Sequence, residues 1–335
     1  MSYQFYKSIG SPKFISAPMV DHSSLAWRLL VRNFGADLAY TEMLQSKSMI
    51  ASIPYQNQHI DWGVNNYNRT LINTNTDTNT NTLSTSLSTK YLDINPIQLE
   101  TPLIAQLAGN NIKELVDAGR ILLKHGNISA IDLNLGCPQK CARKGSYGAY
   151  LLLKKSEPIE ILKELVIALD IPITAKIRRF DSGNNSSSSS NNSNSNSSNG
   201  NKMNMNDSNS NIDIDGDNAT IEFCQEIEQT GVSMLTIHGR SVDAIKHKVG
   251  PSDWEIIKKV KQYLPNMPLV ANGGIQTYDD VLNCLEYTNA DGVMSSEGLL
   301  ENPRGLFNSH GAHEYQHDYI KTQLDSARLF IQVCV

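Results

Sequence analysis

MPLVANGGIQTYDDVLNCLEYTNADGVMSSEG, residues 267–298, contains one complete structural unit and the start of the next. An apolar run ends in Asn272 and the pair Gly273–Gly274. Tyr278, Val281, Leu282 and Leu285 then recur at helical spacing, and a second apolar run starts at Ala290. The stretch therefore reads as strand, glycine turn, helix, strand. Working outward, the same alternation returns along the chain. Further strand-like runs are FISAPM (14–19), ADLAYTEM (36–43), PLIAQLAG (102–109), SAIDLNLG (129–136), PITAKIRRF (172–180) and VSMLTIHGR (232–240). Helical patterns such as NNIKELVDAGRILLKHG, EPIEILKELVIAL and SDWEIIKKVKQYL lie between them, several opening at Ser, Asn or Asp as helix caps do. Eight strands alternating with helices predict a (β/α)8 TIM barrel rather than an open doubly wound sheet. The weakest unit is the second, whose strand runs toward a low-complexity tract instead of a clear helix.

That tract, about 57–90, is rich in Asn and Thr, and another at about 181–218 is almost unbroken Ser and Asn. Neither offers enough apolar surface to offset the entropy of ordering it, so both are expected to be disordered insertions in a barrel spanning 1–308. Residues 309–335 fall beyond that barrel.

The 335 residues carry a formal charge of −5, which excludes a global basic field for nucleic acid and leaves only local patches. Five cysteines, at 137, 141, 224, 284 and 334, form no C-x-x-C pair and suggest a reducing compartment without disulfides. No signal peptide or membrane-spanning run is evident, so a soluble cytoplasmic or nuclear protein is expected.

In a TIM barrel the chemistry sits where strands end. The strand ends here carry Met19, Asp21, Glu42, Gln106, Asn134, Cys137, Lys176, Arg178, His238, Arg240, Asn272, Gly273, Gly274 and Glu297. Any one of these could be a turn former or a solvated rim group; together they describe a binding mouth. Backbone N–H groups around Gly273–Gly274 and in the GVMSSEG run could grip a phosphate, the alternative being two ordinary glycine turns. A lysine such as Lys176 beside the polar edge of an isoalloxazine would stabilise a reduced, anionic flavin, and Gln106 could bond the same edge. Cys137 could serve as a proton donor or as a nucleophile, with an inert buried thiol as the third reading. A zinc site is not expected, because Cys137 and Cys141 lack two further ligands at suitable spacing.

At these residues the chain resembles the dihydrouridine synthase family, most closely its eukaryotic 16/17 type. The matching stretches are APMVDHSSLAWR, DLAYTEML, PLIAQLAGN, DLNLGCPQ with KGSYGAYLL, AKIR, LTIHGR, ANGGIQ and GVMSSEGLLENP. The resemblance implies an FMN-dependent enzyme that uses NADPH or NADH to reduce the C5–C6 bond of uridine in the D-loop of tRNA, with Cys137 protonating C5. It implies FMN contacts at Pro18, Met19, Val20, Gln106, Lys176, His238, Asn272, Gly273, Gly274, Ser296 and Glu297. The target base would meet Asn134, Arg178 and Arg240. It also implies tRNA as partner and makes 309–335 the incomplete start of a helical tRNA-binding region; a monomer with no metal and no membrane association is expected. Lys140, Arg143, Lys144, Arg178, Arg179, Arg240, Lys246 and Lys248 are the candidate phosphate contacts. Two other readings compete: a reductase of a free pyrimidine, similar to dihydroorotate dehydrogenase, and a catalytically impaired tRNA-binding fragment.

Overall fold

Eight parallel strands pair in sequence order and close on themselves, β1 against β8. They are β1 (Phe14–Ser16), β2 (Leu38–Gln45), β3 (Leu103–Ala108), β4 (Ala130–Leu135), β5 (Ile173–Arg179), β6 (Met234–Ser241), β7 (Leu269–Asn272) and β8 (Gly292–Ser295). This computed structural model describes residues 2–61, 100–181, 216–241, 250–309 and 326–328. Helices lie between the strands: α1 (Ser2–Ser8), α2 (Leu25–Asn33), α3 (Ser46–Ala51), α4 (Ile53–His59), α5 (Ile112–Lys124), α6 (Lys140–Gly145), α7 (Ala149–Leu152), α8 (Ser156–Ala168), α9 (Gly216–Gln229), α10 (Trp254–Tyr263), α11 (Tyr278–Thr288) and α12 (Glu297–Glu301). Among the described residues no helix is long and apolar enough to cross a membrane.

Two apolar layers follow from the two-residue period of a strand. Leu103, Ala105 and Leu107 of β3, Ile131, Leu133 and Leu135 of β4 and Leu235 and Ile237 of β6 face outward into the core shared with the helices. Their neighbours Ile104, Ala130, Met234, Val270 and Met294 fill the barrel interior with Ile15, Leu38 and Tyr40. The helices are pinned by the caps their sequences suggest. Asn111 accepts the N–H of Glu114, Asp253 those of Glu255 and Ile256, and Thr277 forms a reciprocal capping box with Asp280.

α1 was not evident from the sequence, because seven residues hold too little periodicity. It closes the bottom of the barrel, where Phe5 and Tyr6 join the interior cluster and the Tyr6 hydroxyl donates to the Pro12 and Asp291 carbonyls. Lys261 ties Asp291 to Tyr3 on the same side.

The second unit differs from expectation. β2 is followed by α3 and α4, so residues 57–59 are helical and the first tract does not begin at 57. Ile60 is buried, and Asp61 is fixed by the Arg28 guanidinium at 2.8 Å. Arg28 also bonds Glu100, where the described chain resumes. One fully buried guanidinium therefore grips both ends of the excursion. Likewise 216–218 belong to α9 rather than to the Ser/Asn tract. Residues 62–90 and 182–215 of the two tracts, Lys246, Lys248, Cys334 and nearly all of 309–335 lie outside the described residues.

Candidate active site

Interior-facing parity, continued to the carboxyl ends of the strands, lifts a polar set above the apolar plug. Gln106 pairs in register with Asp132, and Asp132 with Thr174. Asn134 pairs with Lys176, Arg178 with His238, and His238 with Asn272. Six of the residues singled out from sequence thus meet at one mouth because of strand register, without any loop having to reach inward.

A continuous hydrogen-bond chain runs through this set. The Thr174 hydroxyl donates to Asp132 Oδ1 at 2.6 Å, and Gln106 Nε2 donates to Asp132 Oδ2 at 2.8 Å. Asn134 Nδ2 donates to Gln106 Oε1 at 2.7 Å. The other end of the same amide, Asn134 Oδ1, accepts the backbone N–H groups of Gly136 at 3.1 Å and Cys137 at 2.9 Å. Burial raises the Asp132 carboxyl to about 6, against the pull of Thr174, Gln106 and Lys176. Asp132 was missed in the sequence reading, although its place two residues before Asn134 put it on the same inward parity.

Cys137 stands on the loop that this chain holds. Its carbonyl accepts the N–H of Ala149 at 3.1 Å, so the start of α7 braces it from behind. Gly148 makes that approach possible: its φ is +62°, and a Cβ there would come 2.7 Å from the Cys137 carbonyl oxygen. Arg178 ties the loop from the barrel side, Nε to the Gly136 carbonyl at 2.8 Å and Nη1 to the Ser241 carbonyl at 3.0 Å. Met43, Ala108, Ala142 and Tyr147 pack around the cysteine. Burial pushes the thiol up, partly offset by the Gln139 N–H and by the charges of Lys176 and Arg178. The group is a thiol at neutral pH.

At the end of β6, His238 Nε2 is buried and has no hydrogen-bond partner among the described residues. Burial first, then the charges of Lys176, Arg178 and Arg240, hold the imidazole down to about 2, so it is neutral at any ordinary pH. The ring lies against Gly273, whose φ is +97° and whose missing Cβ would sit 2.5 Å from His238 Cδ2. Lys176 makes no side-chain hydrogen bond among the described residues, and burial with the nearby Arg178 lowers it to about 8. An unsatisfied imidazole nitrogen, an unpaired amine and a side-chain-free cradle suit a polar, electron-rich ligand such as FMN.

The loops after β7 and β8 are locked together around that cradle. Asn272 Nδ2 donates to the Met294 carbonyl at 2.9 Å, the Ser295 hydroxyl to the Ile275 carbonyl at 3.0 Å, and Trp254 Nε1 to the Gly273 carbonyl at 3.0 Å. Gly274 has φ +74° against Ser252 and Trp254, and Ser296 and Glu297 open α12 beside it. Pro18, Met19 and Val20 follow β1; Met19 is tied by its N–H to the Ser23 hydroxyl, whereas Val20 is half-exposed. Arg240 Nε donates to the Gly250 carbonyl at 3.0 Å.

At the end of β2, Glu42 bonds His59 Nδ1 at 2.6 Å and accepts the Asp21 N–H. The sequence marked Glu42 and Asp21 as strand-end groups but gave no sign of His59, which arrives on the unforeseen α4. Of the candidate phosphate contacts, Lys140, Arg143 and Lys144 line α6 directly after Cys137, with Arg178, Arg179 and Arg240 at the ends of β5 and β6. Among the described residues no group of three or more His, Cys, Asp or Glu could hold a metal ion.

A family model described as Dihydrouridine synthase (Dus) matches residues 15–200 and 208–334. The chain is 33% identical over 301 residues to tRNA-dihydrouridine(16/17) synthase of Schizosaccharomyces pombe, covering 90% of this chain and 58% of that protein. It is 32% identical over 306 residues to the Saccharomyces cerevisiae protein of the same name, covering 91% and 56%. Identity to the human tRNA-dihydrouridine(20a/20b) synthase-like protein is 29% over 292 residues, covering 86% of this chain and 69% of that protein. The chain therefore spans rather more than half the length of the two fungal relatives.

Proposed function

Since the chain belongs to the dihydrouridine synthase family, we propose that it reduces uridine to dihydrouridine in the D-loop of tRNA, at positions 16 and 17, with FMN and NAD(P)H. The observation that carries this reading is the pairing of two opposed features in one mouth. On one side, His238 Nε2, Lys176 and the Gly273 cradle present unsatisfied polarity to a ligand; on the other, a protonated thiol is held rigidly on its own loop.

In this reading Lys176, His238, Gln106, Asn272, Gly273, Gly274, Ser296, Glu297 and the Pro18–Val20 turn hold FMN. FMN, when bound, supplies hydride to the pyrimidine and is recharged by NADPH or NADH. The chain's own task is the proton. Cys137 gives its thiol proton to C5 of the base, which its raised pKa suits, because the group is still protonated when the carbon needs it. Lys176 balances negative charge on the ligand. Asn134, Arg178 and Arg240 orient the uracil, which must leave the folded tRNA to enter the mouth. The cations after Cys137 and at the ends of β5 and β6 meet the RNA backbone, a local patch that the overall negative charge does not preclude.

The test is a visible absorption spectrum of the purified chain, followed by anaerobic addition of NADPH and then of unmodified tRNA. Flavin bands that bleach with NADPH and return only with tRNA are expected. Bands that return equally with a free pyrimidine would favour the small-molecule reductase, and a chain purified without flavin and unable to take it up would overturn the proposal.

A further inference from the structure

Asp132 contacts none of the groups assigned above to proton transfer, yet it stands at the base of the chain that ends on them. The donors and acceptors of that chain leave no freedom of orientation. An ionised carboxylate only accepts, so Gln106 must turn Nε2 toward Asp132 and Oε1 toward Asn134. Asn134 must then give Nδ2 to Gln106, which leaves Oδ1 for the loop. From the other end, the N–H groups of Gly136 and Cys137 only donate, so they demand that same oxygen. Both termini dictate one arrangement, and Thr174 fills the remaining oxygen of the carboxylate. Every side chain in the relay is at most 7% exposed, so its members are satisfied by one another rather than by bulk water.

We propose that Asp132 is a positioning residue: through Gln106 and Asn134 it sets the amide orientation that anchors the loop carrying Cys137. The inference deepens the reading of Cys137 as proton donor and rests on it for its functional meaning, although the relay itself does not depend on any substrate. Without the carboxylate, Gln106 is free to turn over. The Gly136 and Cys137 N–H groups alone then hold Asn134, the Gln106 amide beneath it has lost its own support, and the anchor of the loop loosens.

The experiment compares wild type, Asp132→Ala, Asp132→Asn and Gln106→Met, all in a Cys141→Ser background so that Cys141 does not compete for alkylating reagent. Two quantities are read without NADPH or tRNA: amide hydrogen exchange in the peptide holding residues 134–140, and the rate of Cys137 alkylation by iodoacetamide. Asp132→Ala is expected to raise both about tenfold, the scale of one lost hydrogen bond, while β6 and β7 keep wild-type exchange. Asp132→Asn is expected to stay within about twofold of wild type, because Asn can still accept from Gln106 while Thr174 turns its hydroxyl to accept from the new NH2. Gln106→Met breaks the relay at its middle and is expected to match Asp132→Ala; it decides the matter if that variant does not fold. Wild-type exchange at 134–140 in folded Asp132→Ala or Gln106→Met would overturn the proposal, as would an equal rise across all strands. A chain that fails to bind flavin would sink the functional reading while leaving this measurement valid.

Discussion

Cys137 and Lys176 share one mouth, and burial moves their acidities in opposite directions, each away from the charged form. For Cys137 this keeps a transferable proton in place. Cys137→Ala is expected to retain bound flavin but lose about 10²–10⁴-fold in turnover with tRNA, the usual weight of a positioned acid; a loss below tenfold in single-turnover kinetics would take the thiol out of the chemistry. Lys176 is moved the other way. Its folded pKa lies below that of an ordinary lysine, so its contribution to stability is full above 10.5 and disappears as the pH falls through about 8. At neutral pH the charged amine therefore destabilises the empty fold, and an anionic ligand relieves it. FMN affinity, followed by fluorescence quenching, should fall as the pH is raised through about 8, and in Lys176→Met it should be weaker and flat over that range. A flat profile in the wild type would remove Lys176 from the ligand site. At this scale much was legible. Asn134, Lys176, His238 and Asn272 announce themselves as polar residues closing apolar runs. Asp132 and His59 did not, since one lies a layer below the strand ends and the other acquires its role only through the way α4 folds back on Glu42.

At the scale of elements, the βα turns place atoms that no side-chain argument would find. Gly273 lets His238 lie on the backbone, and its φ of +97° is one that L side chains rarely adopt. Gly273→Ala should cost about 1–3 kcal/mol in a denaturant titration and lose flavin from a chain that is still folded by circular dichroism. Retained flavin at wild-type stoichiometry would show that the cradle is not where the ligand sits. Strand positions were readable because alternating burial imposes a two-residue period, and the long helices because theirs is close to four. The short helices were not. α1, α3 and α4 have six or seven residues each, too few for a periodic signal, and they hold their shape through tertiary contacts.

For the whole molecule, the barrel tolerates excursions because each returns to a fixed point. Deleting 182–211, between the end of β5 and the start of α9, should leave flavin binding unchanged in the same absorption assay; loss of flavin would show that the tract contributes to the site. Arg28 is the opposite case. Arg28→Met would strand the buried Glu100 carboxylate and should cost about 3–5 kcal/mol, read as a lower denaturant midpoint. The sequence could show that the chain leaves the barrel after β2, but not that departure and return meet at one residue. That needs contacts between positions more than 30 apart, which no local pattern carries.

With Asp61 and Glu100 both seated on Arg28, the fold registers where the excursion starts and ends far more than how long it is. In general, doubling the number of residues between two fixed ends raises the cost of closing the chain by only about 0.6 kcal/mol. Insertions or deletions among residues 62–99 should therefore shift the denaturant midpoint little as long as Asp61 and Glu100 are kept. The same property makes this stretch a natural splice point for a reporter domain.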